Sequence, residues 1–466
     1  MQHGQELYSA DVETAFLHCE LPKRIYIECY KHAKLLLGED IIFDDDVRLH
    51  LKKSVYGLKT SSKSFYNKMT KALTDIGFEQ TNGGDRCIYS RATGPDGKVI
   101  RGYDINEKRP GVKVLQALTY VDDLACSAPD EESFDALIKE LSATFKIESD
   151  GLLTDFIGLE VDRDDDGSIK LCHKSKIKKI VASCLDHLPR KIASTPLKPG
   201  TLFPKVVDED EPDATEEELK LVRDVDYRGI IGSVLHCYVM CRPDIGFALS
   251  QLSRHVRDPK ARHVEGLMHL VSYLGATSDL GPKYSKCAEN RVNCYVDASY
   301  AEDETTRRST TGFVIMINGG AVAWMSKRQA VVSLSSTEAE LTALRDICAE
   351  IIALKRDLEL LDPMLANMTW PVAEDNQAAK LMVETLTRYE TRKHYAIRVC
   401  WLTECWERGV FQLYYISTKE QTSDCLTKCL DKAGVVKHRE TMFNLNQLAG
   451  VLRCKDELDW RMFMGY

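Results

Sequence analysis

The sequence has no C-x-x-C pair among its 16 cysteines and no apolar run near the ~20 residues of a membrane span. No basic-then-apolar leader opens it either. The first absence excludes a zinc or redox motif of that spacing, and Cys237/Cys241 and Cys425/Cys429 have no nearby histidine arrangement that reads as a zinc site. Sixteen thiols spread over 466 residues read instead as reduced, mostly buried side chains. The other two absences point to a soluble cytoplasmic protein, neither secreted nor membrane-bound, with a virus-like particle or the nucleus as alternatives. A basic excess is lacking too: 62 Lys and Arg stand against 71 Asp and Glu. Eight of those acids lie in residues 208–218, and outside that stretch acids exceed bases by one. The acidic total therefore leaves a nucleic-acid partner open and requires only that any basic surface be local.

What is present is ordinary globular composition, 44% hydrophobic and 29% charged. Single cores stop growing near ~250–300 residues, so two or three domains are expected. A strand-like segment at 11–17 is followed by a helical pattern at 64–76, with Phe65, Met69, Ala72, Leu73 and Ile76 on one face and Gly77 where a helix ends. Residues 112–121 and 124–127 read as two strands around Asp122-Asp123, and a second amphipathic helix carries Phe134, Leu137, Ile138, Leu141 and Phe145. Short strands follow at 156–161 and 168–172, then a basic run at 174–179 and a Pro- and acid-rich linker at 196–218. A helical region spans 227–274, with Pro243 placed to open a helix rather than interrupt one. Strands at 292–296, 312–317 and 331–334 and a long helix from Thr337 suggest a separate α/β domain that ends near Leu430. The fold class is α+β.

Two carboxylate groups carry the chemistry. Adjacent Asp122 and Asp123 on a tight turn are costly unless a cation neutralises them, and an oxygen-rich site with few protein ligands suits Mg²⁺; taken alone, the dipeptide reads more simply as a solvated Asp-Asp turn. Asp11, on another strand, can be brought beside them to hold two cations ~3.5–4 Å apart. Downstream, Asp297 ends a strand, Glu340 sits near a helix start, Asp375 follows a strand and Asp424 opens a helix. Four acids at four element ends is how an open two-metal hydrolytic site is built. Each has a plain alternative: Thr337-x-x-Glu340 fits a capping box, and Asp375 and Asp424 are ordinary helix-start residues.

The motifs DVETAFLH (11–18), LKKSVYGLK (51–59) and YVDD (120–123) resemble, in that order, the reverse transcriptase of copia-type LTR retrotransposon Pol polyproteins. AWMSKRQ (323–329) leading to LSSTEAE (334–340), EDNQAA (374–379) and TSDCLTK (422–428) are similar to that family's RNase H domain. The resemblance implies a palm-like polymerase domain at 1–172 with fingers largely missing and a thumb- or connection-like helical region at 173–285. It places an RNase H-like domain at 286–432 and a C-terminal tail at 433–466. It makes Asp11, Asp122 and Asp123 the polymerase's catalytic, metal-binding acids, and Asp297, Glu340, Asp375 and Asp424 those of the nuclease. Phe16 matches the aromatic that screens out a sugar 2′-hydroxyl, Tyr56-Gly57 the turn near the nascent base pair, and Arg307, Arg308, Lys327 and Arg328 become candidate phosphate contacts. The implied cofactor is Mg²⁺, two per active site, with Mn²⁺ as the alternative.

RNA template, DNA primer, RNA–DNA hybrid and dNTPs are the implied partners, with no membrane. The implied functions are RNA- and DNA-templated DNA synthesis and cleavage of RNA in hybrids. The sequence departs from the family at Thr60-Ser61-Ser62-Lys63, where Gln-Ala-Pro-Arg is usual, and at Cys19, Ala396 and Cys400. His394, beside Ala396, is a candidate for assisting product release. Residues 1–10 hold no Lys or Arg to meet a triphosphate, which predicts impaired DNA synthesis by this chain alone. Two other readings are a non-catalytic nucleic-acid-binding remnant and an RNase H-only nuclease.

Overall fold

A computed structural model describes residues 4–28, 48–203, 214–285, 292–385 and 396–445. The chain divides into two compact units, one of residues 3–157 with 355–366, the other of 158–354 with 367–466 and the first two residues. The segments expected as connection and RNase H thus share one unit except for residues 355–366, and residues 158–172 of the expected palm fall in it as well. The tail's first part is the helix Lys432–Phe443, whose Met442 and Phe443 are buried. Among the described residues no helix is long and apolar enough to cross a membrane.

The N-terminal unit is built on β1 (Glu6–Val12), a ribbon of β2 (Tyr26–Glu28) and β3 (Arg48–His50), and then β4 (Glu79–Gln80), β5 (Ile88–Thr93), β6 (Val99–Ile100), β7 (Lys113–Tyr120), β8 (Asp123–Ala128) and β9 (Ile147–Leu152). Its sheet runs β4-β5-β7-β8-β1-β9, with β6 on the side of β5. Helices α1 (Ser61–Asp75) and α2 (Glu131–Leu141) lay their apolar stripes on it, so that Phe65, Leu73, Phe134 and Leu137 are fully buried. Gly77 adopts φ +95° and ends α1 as its position predicts. The first strand differs from expectation. It starts five residues before Asp11, and Thr14 at φ 51° turns the chain into a short 3-10 helix, Ala15–His18, so Asp11 lies near a strand end.

After a short strand, β10 (Asp155–Phe156), the C-terminal unit has β11 (Leu159–Arg163), β12 (Ile169–Cys172) and β13 (Lys283–Tyr284), with β12 paired to both others. The helices α3 (Lys174–Ala182), α4 (Glu216–Asp224), α5 (Tyr227–Cys241), α6 (Gly246–Ser253) and α7 (Ala261–Ala276) form its helical part. Pro243 is indeed the first residue of a new helical turn. Beside it lies a fully buried ion pair that periodicity does not announce. Arg242 donates to both Asp244 oxygens at 2.9 and 2.8 Å and to Thr277, while the Tyr273 hydroxyl donates to Asp244 at 2.7 Å. Such a pair persists because each charge is also hydrogen-bonded.

A five-stranded mixed sheet completes the unit, in the order β16-β15-β14-β17-β18, formed by β14 (Val292–Ser299), β15 (Thr310–Ile317), β16 (Gly320–Arg328), β17 (Trp370–Glu374) and β18 (Phe411–Tyr415). Its three N-terminal strands are antiparallel, and β14-β17 and β17-β18 are parallel. The helices from there on are α8 (Ser336–Leu361), whose residues from 355 belong to the N-terminal unit together with α9 (Pro363–Asn367) as far as Ala366, and then α10 (Gln377–Glu384), α11 (Ala396–Glu407), α12 (Asp424–Thr427) and α13 (Lys432–Phe443). Two expectations fail here. Residues 331–334 are irregular, with Val331, Val332 and Leu334 exposed, and the third strand is instead β16, whose Ser-Lys-Arg end is polar. Asp297 does not end its strand either, since β14 continues to Ser299.

One glycine decides how α12 reaches the sheet. A Cβ on Gly312 would stand 2.6 Å from Thr427 Cγ2, 2.9 Å from Leu426 Cβ and 3.1 Å from the Ser423 carbonyl oxygen. Gly312→Ala is expected to cost about 1–3 kcal/mol by overpacking, read as a lower urea midpoint. An unchanged midpoint would mean that α12 sits farther from the strand.

Candidate active site

In the N-terminal unit the pairing register brings the expected acids together. Asp11 of β1 lies opposite Asp123 of β8, and the Val12 N–H donates to the Asp122 carbonyl at 2.9 Å. Tyr120 pairs with Asp123, leaving a two-residue loop in which Val121 takes φ 55°. A β-branched residue rarely adopts that conformation, which costs ~1–3 kcal/mol and here places Asp122 at the hairpin tip. Burial and the Asp122 charge raise the pKa values of both Asp11 and Asp123. Burial, Asp122 and Asp11 also push the Tyr56 phenol up. The Phe16 ring is buried between Tyr56, 4.6 Å away edge-on, and Phe65, at 6.3 Å. Gly57 follows at φ +91° with open space about its Cα.

The second group is more tightly built. One ligand atom from each of Asp297, Glu340 and Asp375 lies within 4.8 Å of the others. Among the described residues this is the one such cluster, so the Asp11, Asp122 and Asp123 carboxylates stand farther apart. Glu340 is free of the capping duty considered above. Ser335 Oγ accepts from the Glu338 N–H at 3.2 Å, Glu338 Oε2 accepts from the Leu334 N–H at 2.7 Å, and Glu340 Oε2 is buried without a partner. Burial, then the Glu374, Asp297 and Asp375 charges, hold Glu340 well above the usual carboxylate range. Burial likewise raises Asp297, which accepts from Thr427 Oγ1 and lies 3.5 Å from Lys428 Nζ. The Thr418 hydroxyl donates to Asp375 Oδ2 at 2.7 Å. Asp424 stands apart from the three. Burial and Asp297 push it up to about 6, and Lys428 Nζ donates to its Oδ1 at 2.8 Å.

Three converging carboxylates, one with an orphaned buried oxygen, suit a hard divalent cation. Glu374 was missed by the sequence reading. It is fully buried at the end of β17, its Oε1 accepts from the Asn376 N–H at 2.9 Å, and its Oε2 has no hydrogen-bond partner. The available signal was an acid ending an otherwise apolar, fully buried strand.

Of the four expected phosphate contacts, Arg308, Lys327 and Arg328 line one groove of about 380 Å³ between α6 and β16; Arg307 is not among its lining residues. Arg254 lines it too, also missed by sequence, and shares Asp303 with Arg328 at 3.1 and 2.7 Å. Asp297, Gly312 and Ser326 are direct cross-strand partners, so the groove begins two strand spacings, ~10 Å, from the acids. His394 lies outside the described residues.

Residues 1–187 match the family described as reverse transcriptase (RNA-dependent DNA polymerase). The chain is 28% identical over 431 residues to the retrovirus-related Pol polyprotein from transposon TNT 1-94 of Nicotiana tabacum, covering 92% of this chain and 30% of that one. It is 30% identical over 345 residues to the putative transposon Ty5-1 protein of Saccharomyces cerevisiae, covering 73% of this chain and all of that one. Among solved structures, the foamy viral protease-reverse transcriptase dRH in complex with double-stranded DNA aligns at TM-score 0.47 and 12% identity, over 89% of this chain and 57% of that one.

Proposed function

From a chain that belongs to the copia-type retrotransposon Pol family of reverse transcriptases, we propose two activities, one in each compact unit. The N-terminal unit adds dNTPs to a DNA primer on an RNA or DNA template, with Asp11, Asp122 and Asp123 as its acids. The C-terminal unit cuts RNA in RNA–DNA hybrids at Asp297, Glu340 and Asp375, with Asp424 as the fourth acid, inside the cell. Residues 173–285 serve as connection and 286–432 as the RNase H part. The observation that carries this reading is the cluster of Asp297, Glu340 and Asp375, the first two buried, whose ligand atoms lie within 4.8 Å.

Divalent cations bound there would activate the attacking water and stabilise the leaving oxygen. The chain's own part is to hold three carboxylates in place before the metal arrives: Thr427 orients Asp297, Thr418 orients Asp375, and burial shields Glu340 from bulk solvent. The groove of Arg254, Arg308, Lys327 and Arg328 would hold the hybrid's backbone phosphates by charge, without reading sequence.

The test is Mg²⁺-dependent cleavage of a labelled RNA–DNA hybrid by the purified chain, with primer extension run on the same preparation. Cleavage that disappears in Asp375→Asn supports the reading. Cleavage without extension narrows it to a nuclease, and neither activity leaves a non-catalytic nucleic-acid binder.

Phe16 offers a finer check. As the sugar gate, Phe16→Val should relax the preference for dNTP over rNTP by ~10-fold or more, because a smaller side chain admits the 2′-hydroxyl. A lower melting temperature with unchanged preference would make Phe16 a core residue held by Tyr56 and Phe65.

A further inference from the structure

The acids of the C-terminal unit are not four equal ligands. One ligand atom from each of Asp297, Glu340 and Asp375 lies within 4.8 Å of the others, and Glu340 Oε2 is buried without a hydrogen-bond partner. Asp424 is outside that set, and a cation of the chain's own lies beside it. Lys428 follows the four-residue helix α12 directly, one turn from Asp424, and its Nζ lies 2.8 Å from Asp424 Oδ1 and 3.5 Å from Asp297 Oδ2. The ammonium therefore bridges the fourth acid to the carboxylate that the other three-acid cluster shares. Its side chain remains 37% exposed, on a flexible four-carbon stem, so it is free to swing outward without disturbing the core.

We propose that Lys428 is a built-in counter-ion occupying the second cation position of this centre, between Asp297 and Asp424. This rests on the nuclease reading given above. The nucleic-acid-free protein then holds one divalent cation, at Asp297, Glu340 and Asp375. A second enters only by displacing the Lys428 ammonium from the two carboxylates. Charge accounts for the arrangement. Four clustered carboxylates repel one another, one divalent cation offsets half of that charge, and the ammonium offsets a further part without the dehydration that a second Mg²⁺ would require.

The experiment counts bound Mn²⁺ by electron paramagnetic resonance of the free ion, on the full chain carrying Asp122→Asn to weaken the N-terminal acids. Asp375→Asn added to this parent is expected to remove one bound ion. Lys428→Met, which keeps the stem and removes the charge, should add one ion, with the second site tightened by ~10-fold or more. Lys428→Arg should leave the count at the parent's, and Asp424→Asn on top of Lys428→Met should cancel the gain. Melting temperatures in chelator check that each variant folds.

A parent that already holds two ions sensitive to Asp375→Asn would overturn the inference while leaving the nuclease reading intact. So would a Lys428→Met protein that is folded, less stable and unchanged in count, the signature of a plain salt bridge. No ion sensitive to Asp375→Asn, together with no hybrid cleavage, would remove the nuclease reading itself.

Discussion

Glu340→Gln is expected to lower Mg²⁺-dependent hybrid cleavage by more than ~10²-fold while raising the melting temperature of the metal-free protein. The loss follows from removing one negative ligand from a three-carboxylate cluster. The gain follows from burial and repulsion. Glu340 is raised well above the usual carboxylate range by burial and by Glu374, Asp297 and Asp375, so the folded state keeps a proton that the unfolded state releases. For a group raised on folding, the associated stability is complete below the unfolded pKa, ~4.3 for glutamate, and is lost as the pH climbs through the folded value. Glutamine does not titrate, so the variant's advantage should grow as the pH rises from ~4.3 towards the folded value and level off above it. Added Mg²⁺ should narrow it, because the wild type then gains binding energy that the variant lacks. Calorimetric melting with chelator and with Mg²⁺ at several pH values measures both arms. A variant less stable than wild type in chelator would show that Glu340 has a partner inside the fold.

Asp122→Asn should abolish primer extension, with a loss beyond ~10²-fold, and leave hybrid cleavage unchanged. Asp122 is at the tip of a hairpin held by the β7 and β8 register, and its side chain is half-exposed, so the isosteric amide leaves the packing alone. The acids are near enough for Asp122 to raise both Asp11 and Asp123, and removing that charge removes both the repulsion and the cation's reason to bind. Extension equal to the wild type's would move the polymerase centre away from this hairpin. Any residual extension should respond to Mn²⁺ more than to Mg²⁺, since Mn²⁺ tolerates a poorer oxygen site.

Local signals were read where local physics decides. The face of Phe65, Met69 and Leu73 with Gly77 behind it yields a helix, and Pro243 opens a helical turn, because periodicity and φ preference act within a few residues. Edges were read less well. Residues 331–334 have β-branched composition yet no strand partner, and they stay irregular. Ser326–Lys327–Arg328 look like surface and are strand because Thr310–Gly312 lies alongside to pair with them. β-propensity reports fit to a neighbour rather than a backbone preference, and the neighbour is far away in sequence.

The sequence by itself determined the α+β class, the order of the two acidic groups and the kinship with retrotransposon Pol proteins, since these depend on residue types and their succession. It also put Asp11, Asp122, Asp297, Glu340, Asp375 and Asp424 near element ends, where acids cap helices as readily as they hold metals. Only the tertiary structure decided between those uses. It assigned the cap to Ser335 and Glu338 and left Glu340 unpaired; it set Glu374 behind Asp375, drew Arg254 into the groove of Lys327 and Arg328, and laid Lys428 between Asp297 and Asp424. The contacts of Lys428 with Asp297 and of Arg254 with the β16 groove join groups on different elements. Charges and hydrogen bonds act through space at 3–5 Å, and no pattern along one strand or helix records which distant side chain arrives at that range.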